Sequence, residues 1–182
     1  MQSMPNRTMS LSVRAIFIAI VAALVAALSL AAAPQAQARC KGDRSLNKRA
    51  AANAMLCLVN QERTKRGIGA VRHDPRLARV AGRHARHMVR YSFTGHRSPK
   101  AGGLVTRVKR ARIFSKYTRF SVGENLGWGG RPIAIHRAWM RSAIHKKATL
   151  FRAFTRVGVG VVRGVPHGSK RRGLTYVVTF AG

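Results

Sequence analysis

Along much of the chain, apolar residues recur every three to four positions, and near its end they alternate. From Arg49 to Arg66, Ala51, Met55, Leu58 and Val59 share one helical face with charges opposite, and Gly67 and Gly69 stop the run. Asp74 and Pro75 supply an N-cap carboxylate and a proline at the first helical position. Leu77, Val80, Ala81, His84 and Met88 then form one stripe, which predicts a second helix to about Tyr91. Ser92 to Gly103 is loop-rich. Leu104, Val105, Val108 and Ala111 predict a short basic helix ending near Phe114. Phe120 to Trp128 is a short stretch with aromatic flanks, and Pro132 opens another helix with Ile135, Ala138, Trp139 and Ser142 on one face. Val157, Val159 and Val161 alternate with glycines, and Leu174 to Phe180 is rich in β-branched and aromatic residues; both predict strands. Gly158 and Gly160 mark the close approach of a neighbouring element. Helices first and strands last predict an α+β domain with helices packed on a sheet.

Residues 1–38 carry a different pattern. Arg7 and Arg14 precede a run of apolar and small residues from Ala15 to Ala33, interrupted only by Ser29. Pro34 breaks it, and Ala36-Gln37-Ala38 fits a signal-peptidase site. The run is nearly long enough to anchor in a bilayer, but its alanine content, Pro34 and the Ala-x-Ala ending favour cleavage. The expectation is a secreted or cell-envelope protein that starts at Arg39, with a basic leader over 39–52 and a folded domain over 53–182. Cys40 and Cys57 are the only cysteines. In an exported chain they predict one disulfide closing a short loop, worth roughly 3 kcal/mol in the chain-entropy model. Two cysteines exclude a zinc finger.

Charge changes the picture most. There are 35 Lys and Arg against four Asp and Glu, a formal net charge of +31 over 182 residues. Most cations therefore lack an internal partner and are solvated, screened, or matched by an external anion. Because acids are so few, each can be weighed. Asp43 lies in the leader, Glu62 lies mid-helix among cations, and Asp74 caps a helix. Glu124 has no such local role. His96 lies in a loop, and His145 lies at or beyond the end of a helix. If these two histidines converged on Glu124, they could hold a divalent metal such as zinc, or form a hydrogen-bonded polar cluster.

Several blocks carry a resemblance. Leu58-Val59-Asn60-Gln61-Glu62-Arg63, the Asp74-x-x-Leu77-x-x-x-Ala81-x-x-His84 run and Phe93-x-x-His96 resemble the opening of the CAP superfamily. That superfamily groups cysteine-rich secretory proteins, antigen 5 and the plant pathogenesis-related 1 proteins. Gly123-Glu124-Asn125-Leu126 resembles its Gly-Glu-Asn signature, and Trp139-Met140-x-Ser142-x-x-His145 and Val157 to Val161 resemble later blocks of its bacterial secreted branch. The resemblance implies a three-layer α-β-α sandwich with a His/Glu cleft. In that family the cleft binds divalent metal in some members, and other members bind sterols or fatty acids. Carried over, the metal positions are His96, Glu124 and His145. The chain also departs from the family: Lys146, Lys147 and Ala148 replace the usual Arg-x-Asn. A second cleft glutamate has no counterpart, and Val178 stands where the last strand is usually polar. Cations beside a three-ligand site should weaken metal binding.

Three functions compete. The first is a monomeric secreted binding module whose cleft holds a divalent metal or lies beside a small apolar ligand. The second is a metal-assisted hydrolase using the same His96, Glu124 and His145 cleft; an activated nucleophile would need a base within reach, and Ser142, three residues before His145, could contact that histidine on a helix. The third is a polyanion binder contacting membrane headgroups or wall polymers, nucleic acid being less expected. Its expected contact is the cluster Arg107, Lys109, Arg110, Arg112 and Lys116, with Lys170, Arg171 and Arg172 as a second patch. His84 is expected to be a packed, hydrogen-bonded core residue. His136 is half a turn out of phase with His145 on a continuous helix, so the two share a site only if the helix breaks between them.

Overall fold

The computed structural model describes residues 40–114, 119–168 and 172–182. The expected signal segment, Lys116, Lys170 and Arg171 lie outside them. Among the described residues, nine elements follow in order: α1 Lys48–Thr64, β1 Arg72–His73, α2 Pro75–Arg90, α3 Leu104–Arg110, β2 Val122–Trp128, α4 Pro132–Arg141, α5 Ala143–Leu150, β3 Arg156–Arg163 and β4 Leu174–Ala181. Every predicted helix and both predicted strands form. Asn47 caps α1 by accepting from the backbone of Arg49 and Ala50, so residues 48–52 of the expected leader are helical and Ala51 is fully buried. Asp74 caps α2 as expected, accepting from the N–H of Arg76 and Leu77.

Three elements were not legible in the pattern. Phe120 to Trp128 contains an edge strand, β2, which pairs antiparallel with β4 along its whole length. Two residues, Arg72 and His73, pair parallel with β3 as β1. The helix opened by Pro132 breaks at Ser142, whose ψ of 123° is extended, and α5 starts at Ala143. His145 therefore belongs to a separate helix.

The sheet order is β1-β3-β4-β2. Central β4 is buried at every position, and its alternation divides the core. Tyr176, Val178 and Phe180 pack with Met55 and Val59 of α1 and Ile135 and Trp139 of α4. Val177 and Ala181 turn the other way, onto the layer of Ala81, Ala85 and Met88 and of Leu77 and Val80 from α2. The result is the expected three-layer α-β-α sandwich. Each fully buried Leu, Val or Met contributes roughly 1.5–3 kcal/mol of transfer free energy. Helix α2 lies directly on β3: a Cβ at Gly158 would overlap the backbone of Leu77 and Ala78, and one at Gly160 the backbone of Gly82.

The N-terminal segment is tied down by the expected Cys40–Cys57 disulfide and by the Asp43 carbonyl, which accepts from Ile133 N–H at 3.0 Å. At the end of α1, Arg63 is 1% exposed. Its guanidinium donates to the carbonyls of Gly69, Thr149, Phe151 and Phe154 at 2.8–3.0 Å, pinning α1 to the connection between α5 and β3. Among the described residues, no helix is long and apolar enough to cross a membrane.

Candidate functional site

Strand β2 positions the site, because consecutive residues on a strand point to opposite faces. Glu124 pairs in register with Thr179 and turns into the α2–α3 layer. Its side chain is fully buried. Arg107 of α3 grips it with both arms of the fork, Nη1 to Oε1 at 2.9 Å and Nη2 to Oε2 at 3.0 Å. Nη2 also donates to the His96 carbonyl at 2.8 Å. The His96 ring donates from Nδ1 to Oε2 at 3.0 Å, and the Thr179 hydroxyl lies 3.4 Å from Oε1. Bidentate, charge-assisted geometry of this kind is the strong form of the interaction.

His84 of α2 completes the pocket wall. It is 1% exposed, donates from Nε2 to the Gly95 carbonyl at 2.9 Å, and holds that nitrogen 3.7 Å from Oε2. It is the packed, bonded histidine expected, and it also borders the carboxylate. Burial keeps the His84 imidazole below its ordinary pKa, with Glu124 opposing and Arg107 reinforcing the shift. Burial alone would push the Glu124 carboxyl up, but hydrogen bonds from His96 and Arg107, and the Arg107 charge, outweigh it and hold the group below its ordinary range. Glu124 is an ionised carboxylate with a resident counter-ion.

His145 stands apart. Asn125, next after Glu124, faces the opposite layer, where its amide donates to the His145 carbonyl at 3.0 Å and to the Thr149 hydroxyl at 2.9 Å. The His145 ring bonds the Ser142 hydroxyl through Nδ1 at 2.8 Å. Burial and then the charge of His96 depress its pKa. Beside His145, Val122, Gly123, Ile144, Lys147, Phe151 and Phe154 line an apolar groove of about 380 Å³.

The expected His96–Glu124–His145 constellation is thus a pair with a neighbour. Among the described residues, no group of three His, Cys, Asp or Glu side chains could hold a metal ion. Arg107 already neutralises both Glu124 oxygens, and its charge opposes a cation at that carboxylate. Arg107 is the largest correction: expected on the polyanion surface, it is 7% exposed and neutralises Glu124. Lys109, Arg110 and Arg112 are exposed as expected. The signal for Arg107 was available, since it lies at helical spacing between Leu104 and Ala111 on the apolar face of α3. Thr179, not Val178, is the polar residue of the last strand that faces Glu124; Val178 turns to the other core.

Fold and site together define a three-layer α-β-α module built round a buried ion-pair cluster beside an edge strand. The Cysteine-rich secretory protein family (CAP) model matches residues 56–180, and the chain belongs to that family. It is 33% identical over 106 residues to the uncharacterized protein YkwD of Bacillus subtilis (strain 168), covering 58% of this chain and 40% of that one. It is 32% identical over 111 residues to the uncharacterized membrane protein YlbC of the same organism, covering 60% and 31%. The chain therefore spans less than half the length of these curated relatives. Among solved structures, an extracellular SCP-domain protein of Bacillus anthracis superposes with a TM-score of 0.64 at 24% identity, covering 75% of this chain and 42% of that one. An outer surface protein of Borrelia burgdorferi gives 0.58 at 19%, covering 70% and 88%. These likenesses concern the fold.

Proposed function

We propose that this chain is an exported, non-enzymatic CAP module of the extracellular or envelope space whose cationic exterior binds anionic polymers or surfaces. The observation that carries the reading is how the acids are used. Glu124 is enclosed by Arg107 and His96, Asp74 caps α2 and meets Arg76 and Arg156, and Glu62 pairs with Arg66. With only four acids in the chain, the remaining cations need an external counter-charge. The disulfide, the export pattern of residues 1–38 and the extracellular and outer-surface descriptions of the two structural relatives support the compartment. A hydrolytic role has less support. The Ser142–His145 pair has a hydroxyl and an imidazole, but among the described residues no carboxylate faces the other ring nitrogen, as an oriented base requires.

The test is binding of the protein starting at Arg39 to heparin-like polymers or anionic vesicles at 50 and 200 mM salt. If six or more anionic groups are contacted, counter-ion release predicts a loss of affinity on the order of 10³-fold across that range. Undetectable binding at 50 mM salt would make the charge a compositional feature and end this reading.

A further inference from the structure

The exposed charge is not spread evenly. On α2, Arg76, Arg79, Arg83, Arg86 and Arg90 are all exposed, at intervals of three and four residues. At about 100° and 1.5 Å per residue they fall within an arc of about 80°, in a row about 21 Å long. The row is the mirror of the buried stripe: Leu77, Val80, Ala81, His84, Ala85 and Met88 face the sheet, which fixes the arginines outward. Among the described residues, no carboxylate pairs with Arg79, Arg83, Arg86 or Arg90, and Arg76 reaches Asp74 only at 3.9 Å. The row is widened by neighbours. Arg110 lines a cavity with Arg83, and Arg163 of β3 lines a groove of about 460 Å³ with Arg86, Arg90 and Tyr91. The field is felt nearby: burial and then the charges of Arg83, Arg107, Arg86 and Arg90 hold the His87 imidazole below its ordinary pKa.

We propose that this arginine ladder on α2 is the contact for a linear phosphate polymer laid along the helix. The proposal rests on the polyanion reading above and assigns it a site and a partner class. Guanidinium forks match phosphate oxygens bidentately, and a row one residue wide matches a chain better than a plane. A membrane surface fits less well, because a helix lying in the interface inserts an apolar face, and here that face is buried against β3 and β4. Single-stranded nucleic acid would draw on aromatic platforms, and among the described residues Tyr91, 38% exposed, is the one exposed large apolar side chain on or next to α2.

The experiment measures binding of long-chain inorganic polyphosphate against salt for three proteins: wild type, Arg79→Gln/Arg83→Gln/Arg86→Gln, and Arg137→Gln/Arg141→Gln/Lys146→Gln. The second triple removes equal charge from exposed sites on α4 and α5 in the opposite layer. Glutamine is a good helix former, and unchanged melting of both variants checks the fold. At about 0.7 per phosphate, the ladder variant should lose about 2 from the log–log salt slope and bind at least 10-fold more weakly at 50 mM salt, while the control stays near wild type. Equal losses in the two triples would overturn the ladder and leave the general polyanion reading intact. Absence of wild-type binding would overturn both. Tighter binding to single-stranded DNA or anionic vesicles at equal phosphate concentration would overturn the partner class.

Discussion

Arg63 and Arg107 are both guanidiniums removed almost wholly from water, one in each helical layer, and they are neutralised in unlike ways. Among the described residues, Arg63 meets no carboxylate. Carbonyl dipoles from Gly69, Thr149, Phe151 and Phe154 surround it, and burial lowers its pKa from a value so high that it stays charged. Arg107 meets a full counter-charge, Glu124, with the His96 carbonyl on the same arm. The first arrangement is a staple between segments, made entirely of backbone. The second is an internal salt that fills the cleft where the family resemblance leads one to expect a metal. Position in the layers does not separate the two; the partner does.

The partner sets the size of the response to mutation. Breaking a buried pair by removing one member leaves an uncompensated charge, at a cost of about 3–5 kcal/mol. Arg107→Met should show that loss in urea unfolding, and Arg107→Met/Glu124→Gln should be less destabilised than Arg107→Met alone, because the orphan charge is gone. A loss below about 1 kcal/mol for Arg107→Met would mean that the pair contributes little and the comparison fails.

Arg63→Met should cost less, about 2–3 kcal/mol, since it leaves uncharged carbonyls of Thr149 and Phe154 without their donor. Its effect should add to that of Glu124→Gln, because the two sites share no partner. A coupling well above about 0.5 kcal/mol between them in a double-mutant cycle would show that the two layers are not independent.

The burial of both arginines was legible in outline, although Arg107 was expected on the surface and Arg63 was given no place. Arg63 follows Val59 by four residues and Arg107 follows Leu104 by three, so each sits on an apolar stripe. An arginine on such a stripe is buried only if distant segments bring acceptors to it, and those acceptors lie 86 or more residues away for Arg63's bonds to Thr149, Phe151 and Phe154. The helices and closing strands were legible because their periodicity is local. Strand β2 was not, because Gly123 and Gly127 occupy the inward positions that an apolar alternation would have filled; Phe154, and Ile135 with Trp139, take up the space instead. Glu124 and His96 were found together through the ordered family blocks, whereas the face of β2 on which His145 falls depends on the register with β4.

The finest distinction between the two arginines is their dependence on pH. In the wild type, the Glu124 carboxyl lies below its ordinary value of 4.5, so the folded state binds fewer protons than the unfolded one as pH falls past that value. The stability it supplies is complete above 4.5 and is lost as pH falls through the folded pKa. Arg107→Met removes the main opposing charge, and burial, with His96 and Thr179 still bonded, then drives the carboxyl up. The sign reverses: in the variant, protonation relieves the orphan charge, so the stability gap between wild type and Arg107→Met should narrow as pH falls from 7 to 4. Arg63 is bound by carbonyls that do not titrate, so the gap for Arg63→Met should stay flat over that range. The depressed histidines His136 and His145 destabilise all three proteins alike as pH falls below 6.5 and cancel in the differences, whereas His84 and His87 lose the Arg107 part of their depression in Arg107→Met, which narrows that gap in the same direction. Urea midpoints for the three proteins at pH 7, 5.5 and 4 measure both gaps. A gap for Arg107→Met that is constant with pH, or a gap for Arg63→Met that narrows equally, would place the two guanidiniums in one class after all.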